Sequence, residues 1–338
     1  MKPSPVVVTD LAQLLQRYFC SYLINQRRLS HHTMTSYRDM FKLLLPYIAT
    51  QLNKSVCALS LSDINADTII LFLAYLEETR GNKVKTRNAR LAAIHSFLAY
   101  AVVEEPQALP DIQRVMAIPE KRTDHFLFVC LEKDEIEALL NVHDLTTWTG
   151  QRDYILLLTL YNTGARVSEI TRIQLKDVDI QRQKIIHLHG KGRKERIIPL
   201  WDHTCLELKK WLNDYQSSPE SPLIPNRYGN QITRFGVRQR LNCAVKKASN
   251  HCPSLEGKHI TPHTIRHTTA LHLLQSGVDL TVIALWLGHE KIETTHQYME
   301  ANLEMKKKAL ARLPAMDVQD KNSSLIITED LFSFLENL

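Results

Sequence analysis

The chain has 338 residues, of which 44% are hydrophobic, and this is enough to bury two modest cores and predicts two domains. The formal net charge is +6 but is unevenly distributed, because residues 316–338 hold five acidic side chains and one lysine. This tail carries −4, so the rest of the chain carries +10. A body this basic is compatible with a polyanionic partner, whereas the acidic tail is excluded from a surface that faces nucleic acid.

The cysteines and the hydropathy exclude other classes of protein. Six cysteines lie far apart and form no CxxC pair, which argues against a zinc site and a redox motif and predicts reduced thiols. No stretch has the apolar length needed to cross a bilayer, and the first residues lack the apolar region of a signal peptide. We therefore expect a cytoplasmic protein without a membrane partner.

Residues 5–105 are predicted to form a helical domain, because apolar residues recur at spacings of three and four and no segment alternates convincingly. Thr9, Ser30 and Asn65 each precede an apolar run and are predicted helix N-caps.

The fourth helix of this domain begins near Lys83 and is predicted to have one basic and one apolar face. The cations of the helix and its approach are Arg80, Lys83, Lys85, Arg87 and Arg90. The apolar stripe consists of Leu91, Ile94 and Leu98. Two interpretations of the basic face stay open: a solvated surface, or a surface that contacts DNA phosphates.

Residues 106–124 contain three prolines, show no sustained apolar period and are predicted to be an interdomain linker.

Residues 125–312 are predicted to form a mixed α/β domain that is mostly helical. Two strands, 184–188 and 196–200, should flank a hairpin, and helices are expected near 131–140, 152–161 and 235–248. Thr261 and Pro262 should start a further helix that ends at Gly277, and the helix after it should end at Gly288.

Several polar residues of this second domain stand out by their order and spacing. Arg166 follows a glycine turn at the start of a short helix. His263 and Arg266 lie three apart, so a helix places both on one face near its N-terminus, an end that attracts phosphate. Further on, His289 follows a helix-ending glycine and Tyr298 comes nine residues later. Singly, each could be an ordinary surface or core residue; together they form an ordered set.

This ordered set resembles the motifs of the tyrosine recombinase (phage integrase) family, and most closely those of Xer-like recombinases and mobile-element integrases. The family has an arginine box, a hairpin lysine, H-x-x-R, L-G-H and a tyrosine nine residues after the last histidine. The matching residues here are Arg166, Lys191, His263, Arg266, His289 and Tyr298. The resemblance implies a mainly α protein, with a helical core-binding domain before the catalytic domain, and double-stranded DNA as the partner.

The implied chemistry explains why the family needs arginines and a histidine around the phosphate. A phosphodiester gains negative charge as an oxygen nucleophile adds, so Arg166 and Arg266 are expected to clamp its non-bridging oxygens. His289 would add a hydrogen bond to the same phosphate. Family resemblance also suggests that Glu169 orients Arg166 or a neighbour.

The remaining residues would handle protons and the covalent bond. Tyr298 is the expected nucleophile, His263 would take or return its proton, and Lys191 would protonate the leaving 5′ oxygen. The phosphotyrosine bond stores the energy of the broken linkage, so neither ATP nor any metal or other cofactor is implied. Three further histidines match no motif and are predicted to pack or face solvent: His187, His267 and His296.

Residues 313–338 are predicted to form an acidic tail with a short amphipathic helix over 329–337, longer than Xer-like members suggest. So short a helix is not stable alone, and it should dock on its own chain or on a neighbour. Family resemblance implies a homotetramer in the synapse, a dimer on each DNA site, with a second recombinase as an open alternative.

The same motifs are compatible with two alternative functions. A type IB topoisomerase would use the same chemistry to relax supercoils, but the stretches 164–170 and 287–289 favour a recombinase. A non-catalytic DNA-binding regulator would have no need of a nucleophile, so the complete set of six positions argues against it.

Overall fold

The computed structural model describes residues 10–123, 129–190, 195–214, 218–289 and 295. The chain divides into two compact units, Met1–Phe126 and Leu127–Leu338, which are taken in turn. Helices dominate both, as predicted, and the second unit also holds one small sheet. In the part of the chain so described, every helix is too short or too polar to span a bilayer.

The N-terminal unit is built from helices, and the apolar spacing predicted all of those described here except the last. They are α1 (Asp10–Arg17), which continues as a π-helix (Tyr18–Gln26), α2 (His31–Gln51), α3 (Ala66–Glu78), α4 (Val84–Glu104) and α5 (Leu109–Met116). Two predicted N-caps are confirmed, because the Ser30 side chain accepts a hydrogen bond from the Thr33 N–H and Asn65 accepts one from Thr68. Each cap satisfies an N–H group that has no partner within its helix. Thr9 lies outside the described residues.

The core of this unit confirms the predicted apolar stripe of α4. Leu91, Ile94 and Leu98 are fully buried, and burial of such side chains stabilises a fold by roughly 1.5–3 kcal/mol each. Tyr18 is buried beside them, and its hydroxyl lies 2.8 Å from Ser96 Oγ, so its polar end is satisfied.

Part of the segment 106–124, predicted as a linker, is helical and packs on the N-terminal unit. Pro110 lies in the first turn of α5. Proline is tolerated there because the backbone N–H that it lacks would have no partner within the helix. Ile112, Val115 and Ile118 are buried in the same core as α4, and the exposed residues 119–123 follow outside any helix. Two of the three prolines that suggested a linker, Pro106 and Pro110, therefore lie at helix starts.

The C-terminal unit holds the remaining elements. Its helices are α6 (Lys133–Asn141), α7 (Trp148–Thr163), α8 (Val167–Ile170), α9 (Asp202–Asp214), α10 (Arg234–Ala248), α11 (Pro262–Gln275) and α12 (Leu280–Leu287). Its strands are β1 (Val178–Asp179), β2 (Ile185–His189) and β3 (Glu195–Pro199). The strands form an antiparallel sheet in the order β1-β2-β3, with Ile186 opposite Ile198 and His189 opposite Glu195. The predicted hairpin and the predicted start of α11 after Thr261 are confirmed.

Two glycines end helices and bring those ends together. Gly164 ends α7 with φ of +58° and Gly288 ends α12 with φ of +65°, a left-handed conformation that strains other residues. A Cβ atom on Gly164 would lie 2.7 Å from Cδ2 of Leu287. Glycine at this position therefore allows the ends of α7 and α12 to meet.

Candidate active site

The arginine box lies where α7 ends and α8 begins. Arg166 is the N-cap of α8, and its backbone N–H donates to Glu169 Oε2 at 2.8 Å. Its Nη1 donates to Glu169 Oε1 at 2.9 Å. The Glu169 side chain is 2% exposed and that of Arg166 is 35% exposed. Glu169 therefore orients Arg166 as expected, while the guanidinium still reaches the surface.

A second arginine, Arg196 of β3, also binds Glu169 and was not predicted. Its Nη1 and Nη2 donate to the two carboxylate oxygens at 2.9 and 2.7 Å, a bidentate pair. The alternation of side chains along a strand could have identified Arg196, because it places Arg196 on the same face of β3 as the buried Ile198. An arginine on the buried face of a strand needs an anionic partner.

Glu169 stays ionised despite its burial. Burial alone raises the pKa of this carboxyl, but the hydrogen bonds and charge of Arg196, with those of Arg166, lower the pKa to about 2. At neutral pH the site thus contains a fixed negative charge that holds two guanidinium groups.

Three arginines converge on the last carbonyl groups of α12. The pairs are Arg196 Nε with Trp286 O (2.8 Å), Arg266 Nη2 with Leu287 O (2.6 Å) and Arg166 Nη2 with Gly288 O (2.9 Å). These carbonyls have no partners within the helix and form the negative end of its dipole, so they attract cations. The carbonyl groups of residues 286–288 therefore bind guanidinium groups from the start of α8, from β3 and from α11.

Arg266 is the most enclosed of the three. It is 2% exposed, and its Nη1 donates to Gly164 O at 2.7 Å, so it joins the ends of α7 and α12. A guanidinium has five N–H groups, and bonds to two carbonyls do not exhaust them. Arg266 thus has a structural role in addition to any role toward a ligand.

Two histidines of the site are held neutral. Burial, then the charges of Arg266 and Arg166, lower the pKa of His289 to about 3. Burial, then His263 and Arg266, lower the pKa of His267 to about 4. The His267 and His263 rings stack with centroids 5.5 Å apart, so His267 packs, in line with its prediction, and does so against a residue of the site. A site with positively charged arginines and neutral histidines favours binding of an anion.

These pKa values predict how stability depends on pH. Below about pH 6.5 the unfolded chain protonates these histidines while the folded chain does not, so the C-terminal unit should lose stability as the pH falls toward 4. Replacing His267 with glutamine should reduce the protons taken up on unfolding by up to about one. Urea unfolding at a series of pH values measures this.

The matched control is His251→Gln, which changes an exposed histidine of the same unit. All four tryptophans lie beyond residue 127, so tryptophan fluorescence follows the C-terminal unit alone. If His267→Gln and His251→Gln alter the pH dependence equally, the cluster does not hold His267 neutral.

Lys191 and Tyr298 lie outside the described residues, but the base of the hairpin that contains Lys191 is described. His189 Nε2 lies 3.2 Å from Asp177 Oδ1, and its Nδ1 lies 3.0 Å from Glu195 Oε1. The hydrogen bond with Asp177, then that with Glu195, raises the pKa of His189. The two strands are thus tied together just before Lys191.

The cations predicted on the N-terminal unit fall into two groups. Arg80, Lys83 and Lys85 are exposed, and Arg90 is half-buried. Arg87 is 6% exposed and its Nη1 donates to the carbonyl oxygen of Pro119 at 3.0 Å. Arg87 was expected to contact phosphate, but it lies on the buried face of α4, because it precedes the core residue Leu91 by four positions. Its side chain links α4 to the segment after α5.

A further basic surface, α10 of the C-terminal unit, was missed. The helix contains five basic residues and no acidic one: Arg234, Arg238, Arg240, Lys246 and Lys247. All except Arg240 are exposed. The same signal that singled out α4, a run of cations without acids, was present here in the sequence.

Comparisons with known proteins identify relatives of this chain. A model of the phage integrase family matches residues 130–305, and one of the phage integrase N-terminal SAM-like domain matches residues 16–105. A protein of Sinorhizobium fredii that bears the name integrase/recombinase y4rC is 43% identical over 329 residues, 97% of this chain and 98% of that protein. Tyrosine recombinase XerC of Chlamydia trachomatis is 31% identical over 312 residues, 86% and 94% of the two chains.

Among solved structures, the Tn1549 transposon integrase in complex with transposon right end DNA has the same fold. It aligns with a TM-score of 0.68 and 18% identity over 90% of this chain and 99% of that one. The two family models together match more than half of the chain, and the relatives match along nearly all of it. The chain therefore belongs to the phage integrase family, the tyrosine recombinases.

Proposed function

We propose that this protein is a site-specific DNA recombinase that cuts and rejoins strands through a 3′-phosphotyrosine intermediate, without ATP or metal. The observation that carries the proposal is the convergence of Arg166, Arg196 and Arg266 on the end of α12, beside one ionised carboxylate. Three cations around one anion leave excess positive charge. A phosphodiester gains negative charge during attack, so preorganised cations lower the barrier.

Within this cluster we assign two kinds of role. Arg166 and Arg266 donate to the non-bridging oxygens of the scissile phosphate, and His289 adds a third donor. Arg196 and Glu169 do not touch DNA in this proposal. They fix the position of Arg166, because Glu169 binds both guanidinium groups at once.

The covalent step uses the remaining predicted residues. The Tyr298 oxygen attacks phosphorus as His263 accepts its proton, and the bond from phosphorus to the 5′ oxygen breaks as Lys191 donates a proton to that oxygen. A 5′ hydroxyl of another strand then attacks the phosphotyrosine, releases Tyr298 and restores a phosphodiester. One bond forms for each bond broken, so no external energy source is needed.

The partner of this chemistry is double-stranded DNA, like the DNA in the solved complex of the Tn1549 integrase. We propose that both domains contact it, the helical domain of residues 5–105 and the catalytic domain of residues 125–312. Arg80, Lys83 and Lys85 near α4 supply exposed cations in the first. α10 supplies them in the second.

Salt dependence of binding tests both surfaces. The double variants Lys83→Gln with Lys85→Gln, and Arg234→Gln with Arg238→Gln, should each flatten the slope of log affinity against log salt by up to about 1.8, or about 0.9 per phosphate contact. The reason is that a protein with fewer phosphate contacts releases fewer counterions from the duplex when it binds. Fluorescence anisotropy on a labelled duplex measures the slopes.

The control for this experiment is Lys209→Gln with Lys210→Gln, which removes the same charge from the exposed side of α9. It should leave the slope nearly unchanged. Equal slopes for all three variants would show that only net charge matters and that neither α4 nor α10 is a specific contact surface.

The functional assembly is proposed to be a homotetramer on two duplexes, with a dimer on each site, working on chromosomal or mobile-element DNA in the cytoplasm. Residues 313–338, which lie outside the described residues, are proposed to link subunits, because their predicted acidic helix is too short to be stable undocked. Their charge should keep them away from DNA.

Covalent capture tests the function directly. The protein is expressed in cells, its DNA adducts are trapped by denaturation, and the joined DNA is sequenced to map the site. Two plasmid copies of that site should then exchange strands in vitro. Relaxation of a supercoiled plasmid without exchange would favour the topoisomerase alternative, and absence of any adduct would favour the non-catalytic regulator.

A further inference from the structure

A buried threonine contacts the histidine of the Leu-Gly-His motif. Thr295 Oγ1 lies 2.8 Å from Nδ1 of His289, and Thr295 is fully buried. It precedes Tyr298 by three residues, so the hydroxyl comes from the same stretch of chain as the proposed nucleophile. Family motifs account for the histidine and the tyrosine but assign nothing to this contact.

The contact matters because His289 is neutral. Burial and the neighbouring arginines lower its pKa to about 3, so near neutral pH the ring holds a single hydrogen, on Nδ1 or on Nε2. A threonine hydroxyl can donate or accept, but a ring nitrogen of neutral imidazole does only one of these. The direction of the hydrogen bond between Thr295 and His289 therefore corresponds to one protonated nitrogen or the other.

The proposed ligand selects between the two directions. A non-bridging phosphate oxygen is only an acceptor, so a histidine that binds it through Nε2 must hold its hydrogen there. With that hydrogen on Nε2, Nδ1 is an acceptor and the Thr295 hydroxyl must donate to it. The opposite tautomer would direct a lone pair at an anion.

We propose that Thr295 is a positioning residue that holds His289 in the tautomer protonated on Nε2, so that His289 can donate a hydrogen bond to the scissile phosphate. This inference, including the choice of tautomer, rests on the proposed recombinase function. The tautomer can nevertheless be measured in the protein without DNA.

The first measurement is therefore made on the full chain alone. Nitrogen-15 NMR of the histidine rings, assigned with a His289→Gln variant, should show His289 protonated on Nε2 at pH 7. Thr295→Val, nearly equal in shape but lacking the hydroxyl, should shift the ring toward a mixture of tautomers. Thr295→Ser, which keeps the hydroxyl, should retain the wild-type tautomer. A wild-type ring protonated on Nδ1 would overturn the proposal, whatever the variants do.

The second measurement is single-turnover cleavage of a nicked suicide duplex made from the mapped site. Thr295→Val should slow cleavage by about 10-fold to 100-fold, the usual effect of losing a partner that orients a functional side chain. Thr295→Ser should recover most of the rate. In a His289→Ala background, Thr295→Val should cause no further loss, because Thr295 acts through His289.

Equal losses in both backgrounds would mean that Thr295 only supports packing, and a wild-type rate for Thr295→Val would remove its role altogether. Failure of the recombinase function gives a different result: the wild-type chain then forms no adduct, while the NMR measurement still decides the tautomer.

Discussion

Replacing Tyr298 with phenylalanine is expected to abolish covalent attachment to DNA while leaving DNA affinity nearly unchanged. Phenylalanine keeps the ring but has no oxygen to attack phosphorus, and loss of a nucleophile typically costs on the order of 10⁴-fold or more in rate. On a nicked suicide duplex, the broken strand diffuses away after cleavage, so each turnover leaves a stable adduct. Denaturing electrophoresis of labelled DNA then counts the adducts.

The matched control is Tyr228→Phe, which removes the hydroxyl of a tyrosine that is 70% exposed in the same unit. It should form the adduct at the wild-type rate. An adduct of normal yield from Tyr298→Phe would mean that another residue attacks phosphorus, and the assignment based on the spacing from His289 would be wrong.

The second large effect is expected from Arg166→Ala, which should slow cleavage on the order of 10²–10³-fold, the scale for losing one stabiliser of a developing oxyanion. Binding should change far less, because the arginine acts mainly on charge that develops in the transition state. Single-turnover cleavage and equilibrium binding to the same duplex separate the two effects. If affinity and cleavage fall by equal factors, Arg166 is an ordinary DNA contact.

The structure explains why Arg166 gives a cleaner test than Arg266. Arg266 is 2% exposed and satisfies the carbonyls of Gly164 and Leu287, so Arg266→Ala would leave two polar groups without these donors. Each buried unsatisfied group costs about 1–3 kcal/mol of stability. Tryptophan fluorescence should therefore show destabilisation of the C-terminal unit for Arg266→Ala and much less for Arg166→Ala. Arg172→Ala, at an exposed arginine just after α8, serves as the control for both.

Local features of this protein could be predicted from the sequence because their causes are local. Ser30 and Asn65 cap helices through bonds to residues three positions later, and Gly288 ends α12 through its own backbone conformation. The pairing of Arg166 with Glu169 spans a single helical turn. Spacings of this kind operate within a few residues, so the sequence contains all the information that they require.

Tertiary structure decided which charged groups share one site and which are buried. Arg196 reaches Glu169 across 27 positions because β3 pairs with β2, and three arginines meet because their elements pack against the end of α12. Arg87 and Lys85 look alike in the sequence, yet only Arg87 is buried. Burial and long-range contact depend on how helices and strands pack, and a residue's immediate neighbours do not determine that packing. The sequence alone thus indicated the residue types for phosphate chemistry, whereas packing lowered the pKa of His289 and of Glu169 and set the orientation of the arginines.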